Sequence, residues 1–217
     1  MDRCRLEIGH FELETVGDIV SGEMRINLFD ANITGLLETT RGRVTFTTMT
    51  FASEHLFLID LFTTSGESGV RIEYVAELGI CDGRYLPEEY VKNPLPECKV
   101  TQTPARAYHV CQHRLLARGD YAEAYHVARE GNHVRVLATV DNAIPANRLR
   151  PIPAVDYCVT NLERMMARDF DEMVNEHTQF WHAFYQKSFL SIPDMKWEGF
   201  YWIQVVYLSS IEGRCTR

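Results

Sequence analysis

The sequence has 217 residues, 46% of them hydrophobic and 24% charged, with 30 acidic against 22 basic side chains and a formal net charge of −8. That is chain enough for one domain with a real core, or one domain plus part of a second. The acidic balance and the lack of any Lys/Arg cluster exclude a nucleic-acid partner and suit a neutral ligand such as a sugar, and no window reaches the roughly 18 apolar residues that a membrane span needs.

The chain opens on Met1-Asp2-Arg3-Cys4-Arg5-Leu6. No apolar stretch follows, so the sequence predicts no signal peptide and a cytoplasmic location by default. Residues 11–140 read as β. The runs 46–51 and 57–62 are rich in β-branched and aromatic side chains and are bounded by the turn signals Arg41-Gly42 and Ser65-Gly66. Further strands are expected at 22–28, 31–39, 69–77, 106–116, 121–128 and 132–139. Many short strands separated by turns predict an antiparallel β-sandwich. Residues 82–104 carry Pro87, Pro94, Pro96 and Pro104 and read as an exposed loop. After Pro153 the period changes to helical over 154–167 and 169–187. In the second stretch His177, Trp181 and Tyr185 fall four apart and share a face, with Phe184 three from Trp181. A break over 188–194 contains Pro193. Trp197 to Ile211 is then apolar nearly all round, and such a helix requires an enclosing partner.

Chemistry-bearing groups are scattered. Six cysteines at 4, 81, 98, 111, 158 and 215 form no CxxC pair and read as free or buried thiols, with disulfides as the alternative only if the chain is exported. His109, Cys111 and His113 alternate, so on a strand all three point to one face, but no local fourth ligand completes a zinc site. His177 and His182 are five apart, not the four of a helical metal pair. Neither a metal nor a cofactor is expected. Glu172, Glu176, Asp194 and Glu198 lie in the aromatic C-terminal part, where Glu172 and Glu176 read as a solvated helix face. The dense signal is aromatic: Phe180, Trp181, Phe184, Tyr185, Phe189, Trp197, Phe200, Tyr201 and Trp202. Most of these positions read as core, with one or two free to stack on a sugar ring. P-loop, dinucleotide-fingerprint, GxSxG and HExxH motifs are absent, which argues against nucleotide enzymes, α/β-hydrolases and zincins.

Two long segments carry a resemblance. His177-Thr178-Gln179-Phe180-Trp181-His182-Ala183-Phe184-Tyr185-Gln186-Lys187-Ser188-Phe189-Leu190-Ser191-Ile192-Pro193-Asp194 is followed by Trp197-Glu198-Gly199-Phe200-Tyr201-Trp202-Ile203-Gln204. Together they resemble the sandwich-to-barrel junction of glycoside hydrolases related to family 95, the α-L-fucosidases, where "WWHxFYxKSFLSIPD" precedes "WExFYWIQMYKLASATR". Upstream, Gly22 to Gly35 (GEMRINLFDANITG) resembles the group's "LDLWNAxxxG" strand pair, and Thr39-Thr40-Arg41-Gly42 and Thr64-Ser65-Gly66-Glu67 resemble its turns.

The resemblance implies a β-sandwich domain over 1–152, with or without its first strands. A helical linker would follow over 153–195, and 196–217 would start an (α/α)6 barrel. It places the catalytic residues downstream of this sequence. Residues 207–217 depart from the family's "YKLASATR", which points to an incomplete, inactive product. Trp181, His182, Tyr185, Lys187, Asp194 and Trp197 are the candidate substrate-binding residues, and the implied partner is a carbohydrate or glycan. Self-association through the C-terminal apolar helix is a further expectation. The rival readings are a free-standing carbohydrate-binding or scaffold module and an unrelated all-β protein that dimerises through its helices. A Trp197–Ile211 helix left exposed favours the hydrolase portion, and one buried on the sandwich favours the module.

Overall fold

The computed structural model describes residues 8–52, 54–78, 95–115, 119–143, 152–187 and 190–212, with side chains of the last helix as far as Val205. Ten strands come first: β1 (Gly9–Glu14), β2 (Ile19–Asn27), β3 (Asn32–Thr39), β4 (Arg43–Thr50), β5 (Leu56–Thr63), β6 (Arg71–Ala76), β7 (Glu97–Gln102), β8 (Ala107–Arg114), β9 (Asp120–Glu130) and β10 (His133–Asn142). Three helices follow, α1 (Ala154–Met166), α2 (Phe170–Lys187) and α3 (Met195–Glu212).

Eight strands form one antiparallel sheet in the order β2-β3-β4-β5-β10-β9-β8-β7, and β1 and β6 form a separate antiparallel ribbon. Strand side chains alternate between faces, and both faces of the large sheet are used. Val44, Leu61 and Val134 point to one side, where Leu13 and Ile72 of the ribbon pack on them. Phe11 and Tyr74 of the ribbon cover Tyr125, Val136 and Ala138 on the same side. Leu58, Leu137, Tyr108, Val110, Ala122 and Ala124 point the other way, onto Ala154, Val155, Cys158, Leu162 and Met165 of α1. Each fully buried Leu or Val contributes about 1.5–3 kcal/mol. The protein is therefore mainly antiparallel β, layered as a sandwich, with helices C-terminal to it.

Local chemistry sets the turns. Glu130 and His133 pair across a two-residue connection, and Gly131 takes its first central position at φ 59°, the residue type a II′ hairpin turn requires. Gly35 sits opposite Phe46; a Cβ there would fall 2.1 Å from the ring, so the ring lies across β3 only because the position has no side chain.

Two expectations are corrected. Within 82–104, residues Glu97–Gln102 form β7, paired residue for residue with β8. The prolines misled because Pro94 and Pro96 precede this stretch and Pro104 follows it, leaving six residues with every ladder N–H intact. The rest of that loop, to residue 94, lies outside the described residues. The second concerns the thiols: Cys98 and Cys111 stand directly opposite in this pairing, with Cα atoms 4.1 Å apart, and form a disulfide. Cys158 is a buried free thiol whose pKa is pushed up by burial. Cys4, Cys81 and Cys215 lie outside the described residues, as do the opening residues 1–7 and the last five.

Candidate functional site

The helix face anticipated from the sequence is the buried one: Met173, His177, Trp181 and Tyr185 of α2. It lands on the turn Leu28–Ala31 that joins β2 to β3. His177 is the hub. Its Nδ1 accepts the Ala52 N–H at 3.1 Å, so the ring is the neutral tautomer with hydrogen on Nε2. That Nε2–H donates to the carbonyls of Asp30 (3.1 Å) and Ala31 (3.2 Å). Burial holds the imidazole pKa below its ordinary value, partly countered by those carbonyls. Ala31 has φ 48°, a left-handed conformation that costs an L-residue roughly 1 kcal/mol. The contact from His177 helps hold it there.

The turn is also gripped by its side chains. His182 Nε2 donates to Asp30 Oδ1 at 2.7 Å, and Asn27 Nδ2 donates to Asp30 Oδ2 at 2.6 Å. Phe29 stacks on His182 with centroids 3.8 Å apart. The Tyr185 hydroxyl donates to the Leu28 carbonyl, and burial pushes its pKa up to about 12. Trp181, His182 and Tyr185 thus come together at one junction, occupied with the protein's own backbone and rings. The other three candidates follow along the chain. Lys187 is exposed at the end of α2. Asp194 caps α3, its Oδ1 accepting the Lys196 N–H at 2.9 Å. Trp197 is 62% exposed beside Phe200.

Two carboxylates are buried among the described residues, Glu67 and Glu123. Glu67 accepts the N–H groups of Val16 (2.8 Å) and Gly17 (2.9 Å) and the Thr39 hydroxyl. Burial alone would raise its pKa. These hydrogen bonds and the Arg41 charge outweigh that and hold it below the usual carboxylate range. Glu67 is a staple between the start of β2 and the end of β3. Glu123 accepts from His113 Nε2 at 2.7 Å, both side chains being buried. Burial pushes the Glu123 pKa up, with His113 pulling against it. Tyr121 stacks on His113 at 4.3 Å, and its pKa is raised to about 12, by burial first and then by Glu123.

His109, Cys111 and His113 do share a face, but Cys111 is spent in the disulfide and His113 on Glu123. Among the described residues no group of three His, Cys, Asp or Glu is placed to hold a metal ion. The open concavity of that face is a groove of about 390 Å³ lined by Arg71, Ile72, Glu73, Tyr74, His109, Tyr125 and Val127. It continues into a hollow of about 220 Å³ along Cys98, Lys99 and Cys111. Sequence reading picked out His109 but not its neighbours, because β6, β8 and β9 meet here only through the tertiary fold.

No protein-family model matches this chain, and no curated protein matches it either.

Proposed function

We propose that this chain is the N-terminal sandwich and helical linker of a glycoside hydrolase related to family 95. On this reading it acts on glycan O-glycosidic bonds only together with an (α/α)6 catalytic barrel and is inactive alone. The observation that carries the reading is the α2 junction. The two segments that resemble the family, Gly22–Gly35 and His177–Asp194, lie far apart in sequence yet seat on one another through His177, His182 and Tyr185. Co-occurrence of both segments is what a shared structural junction requires.

The exposure of α3 supports the same reading. Met195, Trp197, Phe200 and Ile203 are all more than half exposed, and the helix leans on α2 through Trp202 against Tyr185. An aromatic surface of this kind calls for a covering partner. Barrel helices supply one in the hydrolase; a second copy of α3 substitutes when they are absent.

The test uses nitrophenyl α-L-fucoside with the pure chain, alone and mixed with a separately produced (α/α)6 barrel of a family-95 hydrolase. On this reading the chain alone gives no turnover above background, because the positioned acid and base that supply most of the rate belong to the barrel. It should bind the barrel, and Trp197→Ala with Phe200→Ala should abolish binding. Turnover by the chain alone, or no association with the barrel, would overturn the proposal.

A further inference from the structure

The geometry points to a sugar-binding site in the groove between β6 and the β8–β9 part of the large sheet, taking one terminal ring of a neutral glycan. This deepens the glycan reading above and rests on it.

The floor is a built platform. His109 lies parallel to Tyr125, with centroids 4.7 Å apart and 10° between the planes. Tyr125 is buried and is held from the side by the edge of Phe11 at 5.3 Å. His109 is exposed, so its outer face is a flat aromatic surface open to solvent on a rigid support. A pyranose presents an apolar face of C–H groups, and a flat π-face is the surface it packs on. Because the platform is fixed before the ligand arrives, little ordering entropy opposes binding.

The walls fit the same ligand. Tyr74 stands on one side, and Cys98, Lys99 and Val100 on the other. The disulfide ties Lys99 and Val100 of edge strand β7 to β8, next to the platform. Arg71 and Glu73 bring both donors and acceptors to the groove, while Lys99, opposite Val110 on the other face of the sheet, lines it with its backbone. Sugar hydroxyls need both, since each donates once and accepts twice. The Arg71 charge is already met by Glu14 at 2.6 Å. The remaining Glu73 carboxylate disfavours an acidic sugar and accepts from the hydroxyls of a neutral one. The 390 Å³ volume falls near the lower end of the roughly 300–1,000 Å³ of small-ligand sites, room for a single ring rather than a length of polysaccharide.

The experiment is saturation-transfer NMR on the full chain with the methyl glycosides of L-fucose, D-galactose and D-glucose as probes. At least one should show saturation at its ring C–H protons. Its binding should weaken roughly tenfold in His109→Ala and persist in His109→Phe, which keeps a flat ring. Both variants should melt like the parent, because the side chain is on the surface. No transfer to any of the three probes, or binding untouched by His109→Ala, overturns the site. The two proposals separate cleanly. Loss of the sugar with barrel association intact refutes only the groove. Sugar binding without barrel association refutes only the hydrolase reading.

Discussion

Replacing His177 tests the junction directly. The ring joins three backbone groups, the Ala52 N–H and the carbonyls of Asp30 and Ala31, and it touches Phe51 and Trp181 edge-on. In His177→Ala those backbone groups lose their partner, at about 1–3 kcal/mol for each one left buried, and the ring leaves a cavity. The expected loss is about 3–5 kcal/mol, a large fraction of a typical total of roughly 5–15. For a chain of this size that lowers Tm by on the order of 10 °C. His177→Gln keeps an acceptor and a donor but cannot titrate, so it isolates the charge.

The sign follows from the direction of the shift. The folded pKa lies below the unfolded value of about 6.5, so the unfolded state binds the extra proton first. The stabilisation is fully present above pH ~6.5 and is lost as pH falls through the folded pKa. Below ~6.5 the parent should lose stability relative to His177→Gln, with a slope no steeper than about 1.4 kcal/mol per pH unit. Urea unfolding followed by tryptophan fluorescence at several pH values measures both. Parallel pH curves for parent and His177→Gln, or an alanine variant that melts like the parent, would refute the account of the junction.

Glu67→Gln should cost about 2–4 kcal/mol, seen as a lower urea midpoint, because a carboxylate receiving three hydrogen bonds is replaced by an amide whose NH₂ meets donors. Its depressed pKa means that this stabilisation is present above the unfolded value near ~4.3 and is lost as pH falls through the folded one, a window below that of His177. Reducing Cys98–Cys111, which closes a sequence separation of 13, should lower stability by about 3 kcal/mol; a peptide map without reductant should recover the linked pair, and finding both thiols free would refute the pairing. Deleting residues 195–217 should turn an associating chain into a clean monomer by light scattering, and a parent that is already monomeric would show that α3 is covered within the chain.

What was legible in the sequence was periodic. The four-residue spacing of His177, Trp181 and Tyr185 named the buried face of α2, and the break at Pro193 separated α2 from α3, because helix faces and helix ends are written locally. The alternation of His109, Cys111 and His113 put them on one face for the same reason. What was missed depends on closure in space. Glu97–Gln102 looks like loop because prolines flank it, and its place as an edge strand is set by β8. Cys98 and Cys111 are partners only because of that register. Tyr125 joins His109 only once β8 and β9 pair, and Arg71 and Glu73 reach the groove only through the separate ribbon.

The seat of α2 also has a consequence for how the chain folds. His177 reaches a carbonyl 146 residues earlier, at Ala31, so docking closes a very long loop and is entropically a late event. During synthesis the β2–β3 turn emerges long before its helix does. Until α2 arrives, the Asp30 and Ala31 carbonyls and the Phe29 ring have only water to meet them. Helix docking is therefore a test of completion: it can proceed only after β2 and β3 have paired in register and presented Leu28–Ala31 correctly. A chain with a slipped hairpin keeps its aromatic helices exposed, and that is the species a chaperone or protease would meet first.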